Sequence, residues 1–191
     1  MKNIILAIIL LYISIACAQE RIIDGDSYNR PQNFPQKGDF IVYNSLNDFE
    51  GTFVYENNSG ERVEIYLEKK KFCFEDLGLC SQRLFGNYEY KNNGQLVVSK
   101  DNLLQKNEIN MSDTKHFSPQ ISSVGNQKNK ITLSIKDTKK DKHIVGIFTK
   151  LESGKYSLKL KEKDGINIIR PGEEKEKGFT LPEEMILTKT N

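Results

Sequence analysis

Few residues in this chain have the type and spacing that chemistry demands. It holds two histidines, His116 and His143, and a hydrolase would need one of them within reach of an activated nucleophile. His116 sits in an irregular stretch and His143 beside Lys142 at a strand start; neither belongs to a triad motif, so a solvated imidazole is the default reading. Glu64 and Glu68 flank Tyr66 on one face of an expected strand. A strand spaces such a pair by about 13 Å, too wide for the two carboxylates of a glycosidase. The sequence has no phosphate-cradling glycine loop and no His-Glu-x-x-His. Lys136, Lys139, Lys140 and Lys142 make a basic turn, partly offset by Asp137 and Asp141, which reads as a solubilising hairpin. The expectation is a protein without catalysis, cofactor or metal.

The cysteines say more. Of the three, Cys17 falls in an apolar leader and is removed or modified on export, which leaves Cys73 and Cys80. Two cysteines in an exported domain favour a disulfide closing a short loop; the alternative is two buried thiols on neighbouring strands. The histidines are too far away in sequence to complete a metal site with them.

Residues 1–18 carry the export reading. Met1-Lys2-Asn3 is a minimal basic region, and Ile4 to Ile15 is an apolar run of signal-peptide length, too short to span a bilayer. Ala16-Cys17-Ala18 is a small-x-small cleavage site that would release Gln19. Ser14-Ile15-Ala16-Cys17 resembles a bacterial lipobox, with Cys17 acylated as the new first residue. The expected destinations follow from the two cleavages: an outer-membrane lipoprotein, touching the membrane only through Cys17, or a periplasmic or secreted protein. Removal of Lys2 leaves 27 basic side chains against 26 acids. So balanced a charge gives no electrostatic reason to expect a nucleic acid as partner.

The 173 residues after the leader suit one domain with a real core. Residues 19–43 hold Pro31 and Pro35 without periodicity and read as an extended arm, whose Phe40 to Tyr43 could add to a sheet edge. Asn44 to Glu50 offers a polar cap and one helical turn, stopped by Gly51. From there the period is two. Val63, Ile65 and Leu67 alternate with polar neighbours, as do Ile131, Leu133 and Ile135, and Tyr156, Leu158 and Leu160. Asn92-Asn93-Gly94 is a strong hairpin signal. The one further helical fragment is expected around Asn102 to Glu108. Eight or nine strands with hairpin-length links must be antiparallel, and with no long helix to cover their apolar face the sheet must close on itself. The expected fold is all-β: an up-and-down meander over residues 44–191, closing into a barrel behind a short helical turn.

Two resemblances support this. Asn47-Asp48-Phe49-Glu50-Gly51-Thr52-Phe53 resembles the opening of a lipocalin-like (calycin) barrel, where a helical turn leads into a Gly-x-Trp. Phe53 stands where that family has Trp. The late Arg that the family lays across it is replaced by Lys189, so this packing is not expected to carry over. Ala18-Gln19, Gly51-Thr52-Phe53 and Leu181 to Lys189 are together similar to an uncharacterised family of small exported proteins and lipoproteins of flavobacterial type. That resemblance implies a location and a barrel, and no activity.

A barrel of eight strands is either filled by side chains or has room for one small ligand. On the first of two readings the protein binds a small apolar or amphipathic ligand, lined by Phe53, Val63, Ile65, Leu67, Ile131, Leu133, Ile135, Tyr156, Leu158 and Leu160. On the second the barrel is packed solid and the protein is a structural or interaction component of the cell envelope. Interior volume separates them.

Overall fold

The computed structural model describes residues 20–27, 35–99, 106–113, 120–127, 129–162 and 178–190. The leader with Cys17, and also His116, lie outside these.

Twelve strands form in chain order: β1 (Arg21–Asp24), β2 (Asp39–Val42), β3 (Gly51–Glu56), β4 (Glu61–Phe74), β5 (Leu79–Asn92), β6 (Gln95–Val98), β7 (Glu108–Asn110), β8 (Ile121–Gln127), β9 (Lys130–Asp137), β10 (Lys142–Lys150), β11 (Tyr156–Glu162) and β12 (Glu184–Lys189). Eight of them, β3, β4, β5 and β8 to β12, pair antiparallel in sequence order. The ring closes where β12 meets β3, with Thr188 opposite Val54 and Lys189 opposite Phe53. The expected antiparallel barrel is therefore present.

Its turns follow local chemistry. Asn57 Oδ1 accepts from the backbone of Ser59 and Glu61, each at 3.0 Å, and so shapes the β3–β4 hairpin. Asn93 and Gly94 both take positive φ, at 49° and 75°, as a two-residue Asn-Gly turn requires. Gly86 is needed for close approach: a Cβ there would run into the Tyr66 carbonyl oxygen and the Leu67 side chain.

The arm departs from expectation. The chain was expected to lack the connections that parallel pairing needs, yet β1 pairs parallel with β2, β2 with β5, and β7 with β4. The reason is the length of the β4–β5 hairpin, whose register runs from Glu61 opposite Asn92 to Phe74 opposite Leu79. Its outer half projects past the barrel and offers both edges. The arm, arriving from far away in sequence, docks on one, and β7 docks on the other. Glu108 thus begins a strand rather than ending a helix; residues 102–105 of the expected helical fragment lie outside the described ones. Arg21 fastens β1 to β2 through a two-pronged contact with buried Asp39, at 2.8 and 2.6 Å. The hydrogen bonds from Arg21 outweigh burial, which pushes the other way, and hold the Asp39 carboxyl below the usual carboxylate range.

Cys73 and Cys80 face each other across the same hairpin and form a disulfide, with Cα atoms 4.1 Å apart. Reducing it, or replacing both by serine, is expected to lower stability by about 2.5 kcal/mol on a chain-entropy estimate for so short a loop. Urea unfolding with and without reductant measures this; equal midpoints would show that hairpin pairing alone holds the tip.

Candidate functional site

The ligand reading places its site in the barrel interior. Phe53, Val63, Ile65 and Leu67 come from β3 and β4. Ile131, Leu133 and Ile135 come from β9, and Tyr156, Leu158 and Leu160 from β11. All ten point inward, as the alternation predicts, and belong to one continuous apolar cluster. A lumen with room for a water molecule would leave surface on its lining. Phe53, Val63, Leu67, Ile131, Leu133, Ile135 and Leu158 instead have 0% exposure, and Leu160, the most open of the ten, has 8%. The strands facing them supply the missing volume: Tyr88 from β5, Ile121 from β8, Ile144 and Phe148 from β10, Met185 and Leu187 from β12.

Both ends are closed. At one, residues Asn44–Phe49 form a 3₁₀ turn that drives Leu46 and Phe49 into the barrel. No side chain of the turn itself caps it, contrary to expectation. Asp26, from the arm, accepts from the Ser45 backbone N–H at 2.8 Å and does that work from a distance. Phe49, Phe53, Phe148 and Tyr156 pack with ring centres 4.8–5.9 Å apart, mostly tilted or edge-to-face. The Lys189 ammonium lies 5.7 Å from the Phe53 ring centre, so the cation-on-ring packing that was not expected to survive the change from Arg is retained by Lys. Tyr156 donates to the Asp48 carbonyl at 2.8 Å, and Lys150 pairs with the Asp48 carboxylate at 2.8 Å.

At the other end a segment from Gly178 to Glu183 crosses the barrel and inserts Leu181. Asp137 holds it. Read from sequence as an offset to the basic turn, Asp137 has 0% exposure. Its carboxylate accepts from Thr180 N at 2.6 Å, Thr180 Oγ1 at 2.9 Å, and the backbone of Lys139 and Lys140 at 3.2 Å each. An Asp shortly before a turn signals the two local bonds; the 43-residue reach to Thr180 has no signature in sequence.

The remaining chemistry-bearing residues are dispersed. Glu64 pairs with Arg62 and Glu68 with Lys70 on the outer face. His143 is exposed. Among the described residues no three His, Cys, Asp or Glu side chains are grouped to hold a metal, and no helix is long and apolar enough to cross a membrane. Tyr90 donates to Glu61 at 2.8 Å. Burial, reinforced by that carboxylate, pushes its phenol up to about 12. An unfolded tyrosine ionises near about 10. The contribution is therefore complete below about pH 10 and is lost as pH rises from there towards about 12, where the native state still binds the proton. Stability measured against pH should fall across that window and fall less steeply in Tyr90→Phe; an unchanged slope would place the cause at Tyr66 and Tyr156, which are displaced in the same direction.

Two of the clefts among the described residues lie outside the lumen. The larger, of about 540 Å³, runs along the arm and is lined by Asp24, Asp26, Ser45, Asp48 and Asn129 among others. Its acids are engaged: Asp24 with Ser27, Asp26 with Ser45, Asp48 with Lys150. The smaller, of about 80 Å³, sits where β5 passes from β2 to β8.

No curated protein and no solved structure matches the chain. Residues 1–190 match one family, described as Family of unknown function (DUF6705). Of the resemblance drawn from its motifs, this shows an uncharacterised family over nearly the whole sequence, and the chain belongs to the DUF6705 family of unknown function.

Proposed function

We propose that the protein is an exported interaction module of the cell envelope, without catalysis, whose packed barrel serves as a rigid scaffold for its outer surface. The observation that supports this is the 0% exposure of seven inward side chains that a lumen ligand would have to touch. An apolar ligand inside would need those residues to part, and a core at native packing density resists that. The residue pattern of 1–18 supports export, and Cys17 supports a lipid anchor as the single point of membrane attachment. The balanced charge supports a protein partner over a nucleic acid.

Native mass spectrometry of the protein purified gently from its own cells tests the reading. The expected mass is that of the processed chain alone, or of the chain plus acyl groups on Cys17. A co-purifying apolar small molecule would overturn it and return the lumen to the ligand reading.

A further inference from the structure

β5 pairs with β2 at Cys80 and Ser81 and with β8 only from Phe85, so Gln82, Arg83 and Leu84 run through a seam between the arm and the barrel. The 80 Å³ cleft occupies that seam, lined by Ser81, Gln82 and Arg83, by Tyr43, and by Ser123, Val124 and Gly125 at an irregularity of β8. Some of its polar groups are spent. Leu84 N donates to Ser123 Oγ at 2.9 Å, and Tyr43 N donates to Gln82 Oε1 at 3.2 Å.

Arg83 is different. Its guanidinium carbon lies 4.6 Å from the Phe72 ring centre and 5.1 Å from that of Phe74. Those two rings meet edge-to-face at 88°, so the cation sits in an aromatic corner. Ring faces steady its charge but accept none of its five N–H groups. Among the described residues it has no ion pair and no hydrogen bond, whereas Arg21 holds Asp39 and Arg62 holds Glu56 and Glu64. Lys70, opposite it on β4, takes Glu68 at 3.1 Å and the Lys106 carbonyl at 3.0 Å, which leaves that acid committed. Burial pulls the Arg83 pKa down, and the only electrostatic influence opposing this comes from Tyr43. Its N–H groups are not sealed from water, so they stay open to an acceptor arriving from outside the chain.

We propose that Arg83 anchors a binding site for a carboxylate group at this seam. Contact with two rings holds the guanidinium carbon in place, and no group of the described residues occupies its fork, which can bond both oxygens of a carboxylate. The cleft has the volume of two to three waters at about 30 Å³ each, room for a carboxylate head and little more. The carboxylate belongs either to a small free acid or to the end of a peptide chain. The site goes beyond the scaffold reading and does not depend on the state of the lumen.

The test follows the Arg83 Nε–Hε resonance of the wild-type protein during titration with acetate, with a short peptide bearing a free C-terminal carboxylate, and with the same peptide amidated. Chloride and inorganic phosphate serve as controls. A saturable shift with acetate assigns a free acid; a shift with the free-acid peptide alone assigns a chain terminus. In either case binding should be absent in Arg83→Gln and at least about tenfold weaker in Arg83→Lys, which keeps the charge and loses the fork. The proposal is overturned if acetate and both peptides leave the resonance unmoved, if chloride or phosphate moves it equally, if the amidated peptide binds as well as the free acid, or if Arg83→Gln still binds. The wild-type titration stands even if the glutamine variant fails to fold.

Discussion

Replacing Phe53 by alanine is expected to lower the stability of the barrel by about 4 kcal/mol, in the range for emptying a phenyl ring's space from a packed core. Phe53 has 0% exposure and meets Phe148 and Tyr156 edge-to-face at 5.0 and 4.8 Å. It also lies beneath the Lys189 ammonium, opposite which β3 and β12 close the ring. Truncation therefore removes transfer free energy, aromatic contacts and a cation's platform at the seam of the barrel. Phe53→Leu, which keeps most of the volume, should cost markedly less. Urea unfolding midpoints of the two variants decide the matter. A loss below about 1 kcal/mol for alanine would mean that the surroundings collapse into the space, and the rigid packed lumen would have to be abandoned with it.

Asp137→Ala is expected to cost about 3 to 4 kcal/mol, because it strips a charged acceptor from three backbone N–H groups and a hydroxyl in a site closed to water. The damage should be local as well as global. Amide exchange at Thr180 and at Lys139 and Lys140 should accelerate beyond the rest of the barrel, since their acceptor is gone. Asp137→Asn keeps one oxygen and should lose less. Global destabilisation with Thr180 still protected would show that Leu181, buried in the core, holds the crossing segment without help.

Much of the barrel was legible along the chain because its determinants are local. Ile131, Leu133 and Ile135 alternate with polar residues, and a strand with one buried face can do nothing else. Asn93-Gly94 encodes its own turn. Cys73 and Cys80 were paired by counting thiols in an exported chain. What escaped is carried by contacts between distant segments. Asp26 caps a turn that begins 18 residues later. Asp137 reaches Thr180 across 43 residues, and the arm adds strands in parallel to a hairpin edge whose existence depends on the length of β4 and β5. Lys189 on Phe53 joins opposite ends of the domain. None of these partners is marked by neighbours in sequence, since each becomes adjacent only after the barrel closes.

The amino-acid order by itself determined which side chains face inward, because a two-residue period admits only one buried face per strand. Whether the enclosed space is hollow or full was decided by tertiary structure alone. Filling depends on summed volumes from eight strands together with Leu46, Phe49 and Leu181 brought in at the two ends, and that sum exists only once those residues are placed opposite one another.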